Sequence, residues 1–206
     1  MPTMTITRTI TVGGVTLTGS SSRTKEGLIQ NQVTLPAGKA GAISATGIDG
    51  LTTGHGITDS DTVDVHWTDA DGIHRCRYGV AVDTAATNAI TFDDDPAAAG
   101  DTLPDEDYAV VVAPRVEIDV DVNAANVKAL VVLSDQDAHL DLTNDDPASM
   151  YGLIVNRNTP WIWNEGEGID NPFLAETDDV LDTIQATNGS TSAATLKFAI
   201  LYDSVS

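Results

Sequence analysis

Apolar and polar residues alternate along most of this chain, in short segments that are typical of β-strands. The segment "TITRTITVGGVTLTG", residues 5–19, alternates on both sides of Gly13-Gly14, which predicts a hairpin with a two-residue turn. The segment "VEIDVDV", residues 116–122, places four apolar residues on one face and three acids on the other. We therefore expect strands with one face on a core and one face in water.

Further segments of this kind follow through the second half of the chain, bounded by Asp, Pro and Gly, and we count about a dozen strands or more. Only "FLAETDDVLDTIQ", residues 173–185, fits a short helix as well as a strand. No helical periodicity is sustained over ten or more residues. The predicted fold class is all-β, an antiparallel β-sandwich or jelly-roll-like domain with an N-terminal hairpin and long acidic loops.

The pattern also suggests a domain organisation. Residues 1–25 form an N-terminal hairpin or arm, and residues 26–206 form the β-sandwich domain. A subdivision is most favourable near residues 92–107, "FDDDPAAAGDTLPDED", which read as a long exposed loop.

Charge restricts the classes of partner. The 206 residues carry a formal net charge of −21, so we expect no binding to nucleic acid or to an anionic membrane. We find neither a secretory signal nor an apolar run of roughly 20 residues. The chain is therefore expected to be made in the cytoplasm without a leader or an anchor. We expect the single cysteine, Cys76, to be buried and to pack like a small apolar residue.

The segment "HWTDADGIHRC", His66 to Cys76, concentrates potential metal ligands. If Asp71-Gly72 form a two-residue turn, Trp67 pairs with Cys76, and His66 and His74 point to opposite faces, where they cannot bind one zinc ion. A longer loop would shift this register. We therefore predict a hairpin rather than a metal site.

Other signatures of catalysis or metal binding are weak. No acidic segment completes a helix-loop-helix calcium loop, and the most favourable place for calcium is Asp93, Asp94 and Asp95. No nucleophile elbow or phosphate-binding loop is present. We predict no catalytic residues, no metal and no cofactor, and hence no enzyme.

The run "TPWIWNEGEGIDNPF", residues 159–173, combines tryptophans with acids. In an extended strand Trp161, Trp163, Glu165 and Glu167 share one face, which could stack a sugar. The same tryptophans could instead pack in the core or at a subunit contact.

Several segments together resemble the small β-rich structural proteins of tailed-virus particles. They are the hairpin "TITRTITVGGVTLTG", the Ala/Gly/Thr-rich "VTLPAGKAGAISATG", the segment "GHGITDSDTVDVHW" and the last segment, "NGSTSAATLKFAILYDS". The resemblance implies a non-enzymatic virion component, a decoration (cement) protein on the outside of a capsid or a tail structural protein. A carbohydrate- or receptor-binding module that uses Trp161 and Trp163 is the alternative.

For a decoration protein the expected partners are the major capsid protein or another virion protein, and copies of the chain itself. A closed ring needs one type of contact between copies, and we favour a trimer. Arg23, Lys25 and Glu26 follow the first hairpin and are the predicted interface residues.

Overall fold

The computed structural model describes residues 2–12, 15–24, 27–92, 100–142, 152–166, 171–173 and 180–203. The secondary structure of these residues is almost entirely antiparallel β. The strands, in chain order, are β1 (Thr3–Val12), β2 (Val15–Thr24), β3 (Gly27–Leu35), β4 (Lys39–Ile43), β5 (Gly47–Asp49), β6 (Thr62–Thr68), β7 (His74–Ala85), β8 (Ala89–Phe92), β9 (Ala109–Pro114), β10 (Val116–Asn123), β11 (Val127–Ser134), β12 (Ala138–Asp141), β13 (Gly152–Val155), β14 (Trp161–Asn164), β15 (Val180–Asn188) and β16 (Ala194–Tyr202). A single 3₁₀ turn, Ala124–Asn126, lies between β10 and β11.

The first two strands form a two-stranded sheet of their own, which we call the arm (residues 2–24). Val12 pairs with Val15, and the ladder continues to Thr3 and Thr24. This register is the one predicted from the alternation around Gly13-Gly14, although the turn residues themselves lie outside the described residues.

Two four-stranded sheets form a sandwich. Their strand orders are β10-β15-β12-β13 and β14-β11-β16-β3. The alternation predicted for residues 116–122 is confirmed, because Ile118, Val120 and Val122 are buried in the sandwich core. The intervening acids Glu117 and Asp119 are exposed. The predicted all-β antiparallel class with a sandwich is therefore confirmed.

The six strands β4 to β9 close into a barrel in the order β4-β5-β8-β7-β6-β9, in addition to the predicted sandwich. The barrel has its own apolar core, separate from that of the sandwich. The barrel strands lie between β3 and β10 in the sequence. The chain therefore passes from the sandwich to the barrel at residues 36–38 and returns to the sandwich at Arg115. The predicted subdivision near residues 92–107 falls within the barrel, because these residues lie between the end of β8 and the start of β9; residues 93–99 lie outside the described residues.

The segment that fitted either a helix or a strand is a strand where the structure describes it. Residues 180–188 form β15, which pairs with β10 and β12 in the middle of one sheet. Residues 174–179 lie outside the described residues. No helix in the described part of the chain has the length and apolar character needed to cross a membrane.

Candidate functional site

The candidate site lies where the hairpin β6–β7 of the barrel meets β12 and β15 of the sandwich. Strand β6 is buried on both faces from Val63 to Trp67. Val63, Val65 and Trp67 belong to the barrel core, as predicted. Asp64 and His66, on the opposite face, form hydrogen bonds with sandwich residues.

The predicted register of β6–β7 is wrong at its tip. His66 pairs with Cys76 and Thr68 pairs with His74, so Cys76 lies on the His66 face and not beside Trp67. His66 and His74 are diagonal neighbours on one face rather than on opposite faces. In the observed register His66, His74 and Cys76 therefore lie on one face of the hairpin.

A five-residue loop causes the shift near the tip. The amide of Asp69 donates to the carbonyl of Ile73, so the loop is longer than the predicted turn at Asp71-Gly72. The Asp69 carboxylate accepts from the amides of Asp71 and Ile73 and from Arg75 Nε. Gly72 has a φ of +79°, which glycine adopts without the steric cost that a Cβ brings.

A β-bulge changes the register again near Asp64. Between the pairs Val63–Val80 and Val65–Arg77, the two residues Tyr78 and Gly79 stand opposite Asp64 alone. Gly79 has a φ of +67°, and its amide donates to Asp64 Oδ1 over 2.9 Å. Bulges of this kind redirect side chains beside functional sites.

Asp64 is the centre of the buried network, with 1% of its surface exposed. Its Oδ1 accepts from Gly79 and from Arg115 Nε at 3.1 Å. Its Oδ2 accepts from His139 Nδ1 and from the Thr187 hydroxyl, both at 2.7 Å. The four donors come from both halves of the body, and together they occupy the acceptor sites of the carboxylate.

Arg115 joins the two halves at the point where the chain passes from β9 to β10. Its Nη1 donates to Asp141 Oδ2 at 3.2 Å and to Gln185 Oε1 at 2.6 Å, while its Nε donates to Asp64. A guanidinium group fits this role because its donors are held in a rigid plane.

The histidines of the hairpin extend the network toward the surface. The His66 and His74 rings are stacked with centroids 5.2 Å apart, and His66 Nδ1 lies 3.2 Å from His74 Nε2. His66 Nε2 lies 2.9 Å from the Thr187 hydroxyl. Because that hydroxyl donates its only proton to Asp64, we assign His66 Nε2 as the donor to Thr187 and His74 Nε2 as the donor to His66 Nδ1.

His139 enters the same cluster from β12. Its ring stacks on Tyr78 with centroids 4.4 Å apart. A Cβ at Gly152 would lie 2.3 Å from His139 Nε2, so the glycine makes room for the ring. Among the described residues His139 Nε2 is a buried polar atom without a hydrogen-bond partner.

The surroundings hold these groups in defined protonation states. Burial lowers the pKa of His66 to about 3, although the carboxylate of Asp64 acts in the opposite direction. Burial alone would raise the pKa of Asp64, but His139 and Arg115 hold it well below its usual range. Burial, followed by the neighbouring Asp64, raises the pKa of the Cys76 thiol well above its usual range. Neutral His66, ionised Asp64 and a protonated thiol follow near pH 7.

Neither hydroxyl nor thiol in the cluster is prepared as a nucleophile. The Thr187 proton points to Asp64 and not to a histidine base. The Cys76 thiol is buried and protonated. The arrangement instead offers buried carboxylate, thiol and imidazole donors, which are the groups that bind cations.

An open cleft of about 650 Å³ borders the two stacked histidines. Trp67, Tyr108 and Asp137 also line it, and Asp137 Oδ2 lies 3.9 Å from His74 Nδ1. Burial lowers the pKa of His74, against the opposing effect of Asp137.

The predicted tryptophan surface lies elsewhere, in β14. Trp163 is 2% exposed and belongs to the sandwich core, and Trp161 packs against that core partly buried. The ring of Trp163 therefore cannot stack on a ligand, and both tryptophans have the packing role that we weighed against sugar binding. Glu165 is exposed and pairs with Lys128 Nζ at 2.8 Å; Glu167 lies outside the described residues.

The remaining predicted site residues are mostly not described. Arg23 is in β2 and pairs with Met4, whereas Lys25 and Glu26 lie outside the described residues. So do Asp93, Asp94 and Asp95.

The sequence reasoning missed Asp64, Arg115, His139 and Thr187. Polar residues within the otherwise apolar segments "VDVHW" and "AHLDL" were the available signal, since a polar side chain buried in a strand needs a partner. No family model, no curated protein and no solved structure matches the chain.

Proposed function

We propose that this chain is a non-enzymatic structural protein of a tailed-virus particle, a decoration protein that assembles as a homo-oligomer on the outside of the capsid. The observation that carries the proposal is the arm, a hairpin that stands apart from the body. The viral setting comes from the sequence resemblance described above.

The arm pairs only with itself in the described part of the chain. Its two strands form a separate sheet, and no described element of the body packs extensively against it. Ten residues per strand correspond to a length of about 33 Å. An isolated two-stranded hairpin is at best marginally stable in water, so a hairpin of this length needs a surface to pack on.

The register gives the arm two different faces. On one face Thr9 pairs with Thr18, their hydroxyls 3.2 Å apart, and every other pair on that face is also made of Ser or Thr residues. On the other face Ile10 pairs with Leu17 and Val12 with Val15 beside the turn, and the pairs Met4–Arg23, Ile6–Ser21 and Arg8–Gly19 make up the rest. The part of this face beside the turn is apolar in sequence and is the part suited to burial against a partner.

Charge favours a second copy of this chain as the partner. Residues 2–24 contain Arg8 and Arg23 and no acid. The total of −21 therefore divides into +2 for the arm and −23 for the remainder. A basic arm is complementary to the acidic body of a neighbour.

The position of the arm in the fold is compatible with exchange between copies. It leads into β3 through residues 25 and 26 alone, and β3 lies at the edge of its sheet. An unpaired edge is a surface on which another chain can add. The arm therefore starts at a place where copies can meet.

The strand pairing of the sandwich supports a shell-associated role. Numbered along the chain, the first strand of the sandwich pairs with the eighth, the second with the seventh, the third with the sixth and the fourth with the fifth: β3–β16, β10–β15, β11–β14 and β12–β13. We interpret this nesting as a jelly roll, an architecture that occurs in viral capsid proteins.

The test combines the oligomeric state with attachment to shells of the capsid protein. We expect the full chain to form a fixed oligomer, a trimer in our proposal, by light scattering, and to co-sediment with shells that lack it. The chain without residues 2–24 should be a folded monomer that no longer attaches. A strictly monomeric full chain without affinity for shells, or full attachment after the deletion, contradicts the proposal; attachment to tails only would assign the chain to the tail.

A matched pair of variants separates the two faces of the arm. Ile10→Asn with Leu17→Asn changes the apolar face, and Thr9→Asn with Thr18→Asn changes the hydroxyl face by the same number of residues. We expect only the first variant to lose the oligomer. Equal loss in both would contradict docking through the apolar face.

A further inference from the structure

We infer that Asp64, Cys76 and His139 form a binding site for a divalent transition-metal ion, with zinc as the best match to the donors. The three residues each offer a ligand atom, and these atoms lie within 4.8 Å of one another. All three residues are buried. This inference is independent of the arm and of the proposed function.

The donor set selects the class of metal. A carboxylate oxygen, a thiolate sulfur and an imidazole nitrogen together are typical of zinc sites. Calcium and magnesium prefer oxygen ligands alone, and the thiol and imidazole exclude the arrangement that they need. Mixed sulfur and nitrogen donors in tetrahedral geometry favour zinc among the common divalent ions.

The partners of Asp64 and His66 orient donors into this space. Gly79 and Arg115 hold Oδ1 of Asp64. Oδ2 accepts from Thr187 and from His139, and a metal ion would take the place of the His139 proton. His66 Nε2 lies 3.9 Å from Cys76 Sγ, and His66 Nδ1 is held by His74. Such outer contacts fix ligand orientation in metal sites.

Zinc binding requires the ligand atoms of His139 and Asp64 to move slightly apart. His139 Nδ1 and Asp64 Oδ2 are 2.7 Å apart, whereas two N and O ligands of a tetrahedral zinc ion are about 3.4 Å apart given bonds of about 2.1 Å. The two atoms must therefore separate by about 0.7 Å on binding. His139 would bind through Nδ1 and carry its proton on Nε2.

The charges of the cluster balance around a divalent ion. Binding replaces the thiol proton of Cys76, which is released to solvent, so the thiolate and the Asp64 carboxylate together neutralise the two positive charges. Arg115 keeps its contacts with Asp141 and Gln185. The buried thiol next to a carboxylate, unfavourable as an anion in the metal-free chain, becomes a favourable ligand.

The first experiment measures metal content and ligand type in the full chain. After dialysis against excess zinc and then against buffer, we expect about one zinc ion per chain by mass spectrometry. Cobalt in place of zinc should give a thiolate-to-cobalt absorption band in the near ultraviolet. A folded chain that retains no zinc, or a bound cobalt spectrum without the thiolate band, overturns the inference and leaves the cluster as a metal-free polar joint between barrel and sandwich.

Variants identify the ligands. Cys76→Ser should remove the thiolate band, and His139→Gln should lower zinc retention at least tenfold. His55→Gln is the matched control, since His55 is also buried but bonds only to Ala86 and Ile57 among the described partners; we expect it to keep the metal. Zinc retained equally in all three variants would contradict the site.

A measurement on the unmodified chain tests the site even if the variants do not fold. In the unmodified chain, chelation of the metal should lower Tm, and added zinc should restore it. A Tm that is the same with chelator and with excess zinc would contradict the inference. Deletion of residues 2–24 should leave the metal content unchanged, which keeps this test separate from that of the arm.

Discussion

The hairpins β1–β2 and β6–β7 have the same kind of ladder but opposite surroundings. In the arm, the described partners of each strand are in the other strand alone. Strand β6 pairs with β7 and β9, and both of its faces are buried, one in the barrel core and one against the sandwich. The two hairpins therefore differ in the elements that cover their faces and not in their ladders.

This difference separates two uses of one motif. Covered on both faces, β6–β7 can hold a charged carboxylate and several histidines in fixed geometry, because its neighbours supply their partners. No described element of the body packs extensively against the arm, and we propose that a neighbouring copy does. Substitutions in the two hairpins should therefore affect different measurements.

The largest expected effect comes from Asp64→Ala, which removes the acceptor of four donors at once. Arg115 and His139 would remain buried without it, and breaking a buried ion pair on one side costs about 3–5 kcal/mol. Urea unfolding should show a loss of this size. Asp119→Ala, on the exposed face of β10, is the control and should change stability by less than about 0.5 kcal/mol; similar losses in both would mean that the network contributes little.

The next effect is the pH dependence of the metal-free chain. The pKa of His66 is lowered from 6.5 to about 3 by burial, so between these values the unfolded chain binds more protons than the folded one. The contribution of neutral His66 to the free energy of unfolding is then complete above about pH 6.5, and it is lost as the pH falls from 6.5 toward 3, by about a few kcal/mol in total. His66→Gln keeps a donor toward Thr187 and should flatten the profile between pH 6.5 and 4; an unchanged slope would contradict the assignment.

A smaller effect is expected from Asp69→Ala in the loop of β6–β7. The carboxylate closes the loop through the amides of Asp71 and Ile73, and Arg75 also contacts it. We expect a Tm below that of the unmodified chain but above that of Asp64→Ala. Asp83→Ala on the exposed part of β7 serves as the control. A drop as large as that of Asp64→Ala would place the stability of the hairpin in its loop rather than in its coverage.

The smallest effect on the body should come from removal of the arm. Because no described body element packs extensively against it, deletion of residues 2–24 should change the free energy of unfolding of a single subunit by no more than about 0.5 kcal/mol. The comparison must be made at a concentration where both chains are monomeric. A large loss would show that the arm belongs to the fold of its own subunit.

The two hairpins also show what the sequence could reveal. The arm register followed from alternation around Gly13-Gly14, because a two-residue turn fixes the pairing of every following residue. The same reasoning failed for β6–β7, where the Asp69 loop and the bulge opposite Asp64 each shift the register. Turn length depends on side-chain hydrogen bonds that alternation does not encode.

The buried cluster was beyond local reasoning for a different reason. Asp64 contacts His139 and Thr187, which are 75 and 123 residues away in the sequence. These contacts form because the barrel, whose strands lie between two sandwich strands in the sequence, packs against the sandwich. Alternation gave the buried faces of β6 and β10, but it contains no information about which sheet covers which. Trp163 lies in the sandwich core, and local pattern could not decide this, because a tryptophan in a short apolar strand fits a core as well as a surface.

The insertion of the barrel into the sandwich sets an order for synthesis. Strands β4 to β9 are contiguous, so the barrel can close once residue 114 has left the ribosome, whereas Gly27 of β3 waits for Tyr202 of β16. Domains that are complete fold first during translation, and pairings distant in sequence form late. Until β15 and β16 emerge, Asp64 and His66 lack Thr187 and the first sandwich strand keeps an open edge. A nascent chain of this protein is therefore exposed to mispairing during synthesis of its second half, while the barrel is the part of the body whose described strands are already paired.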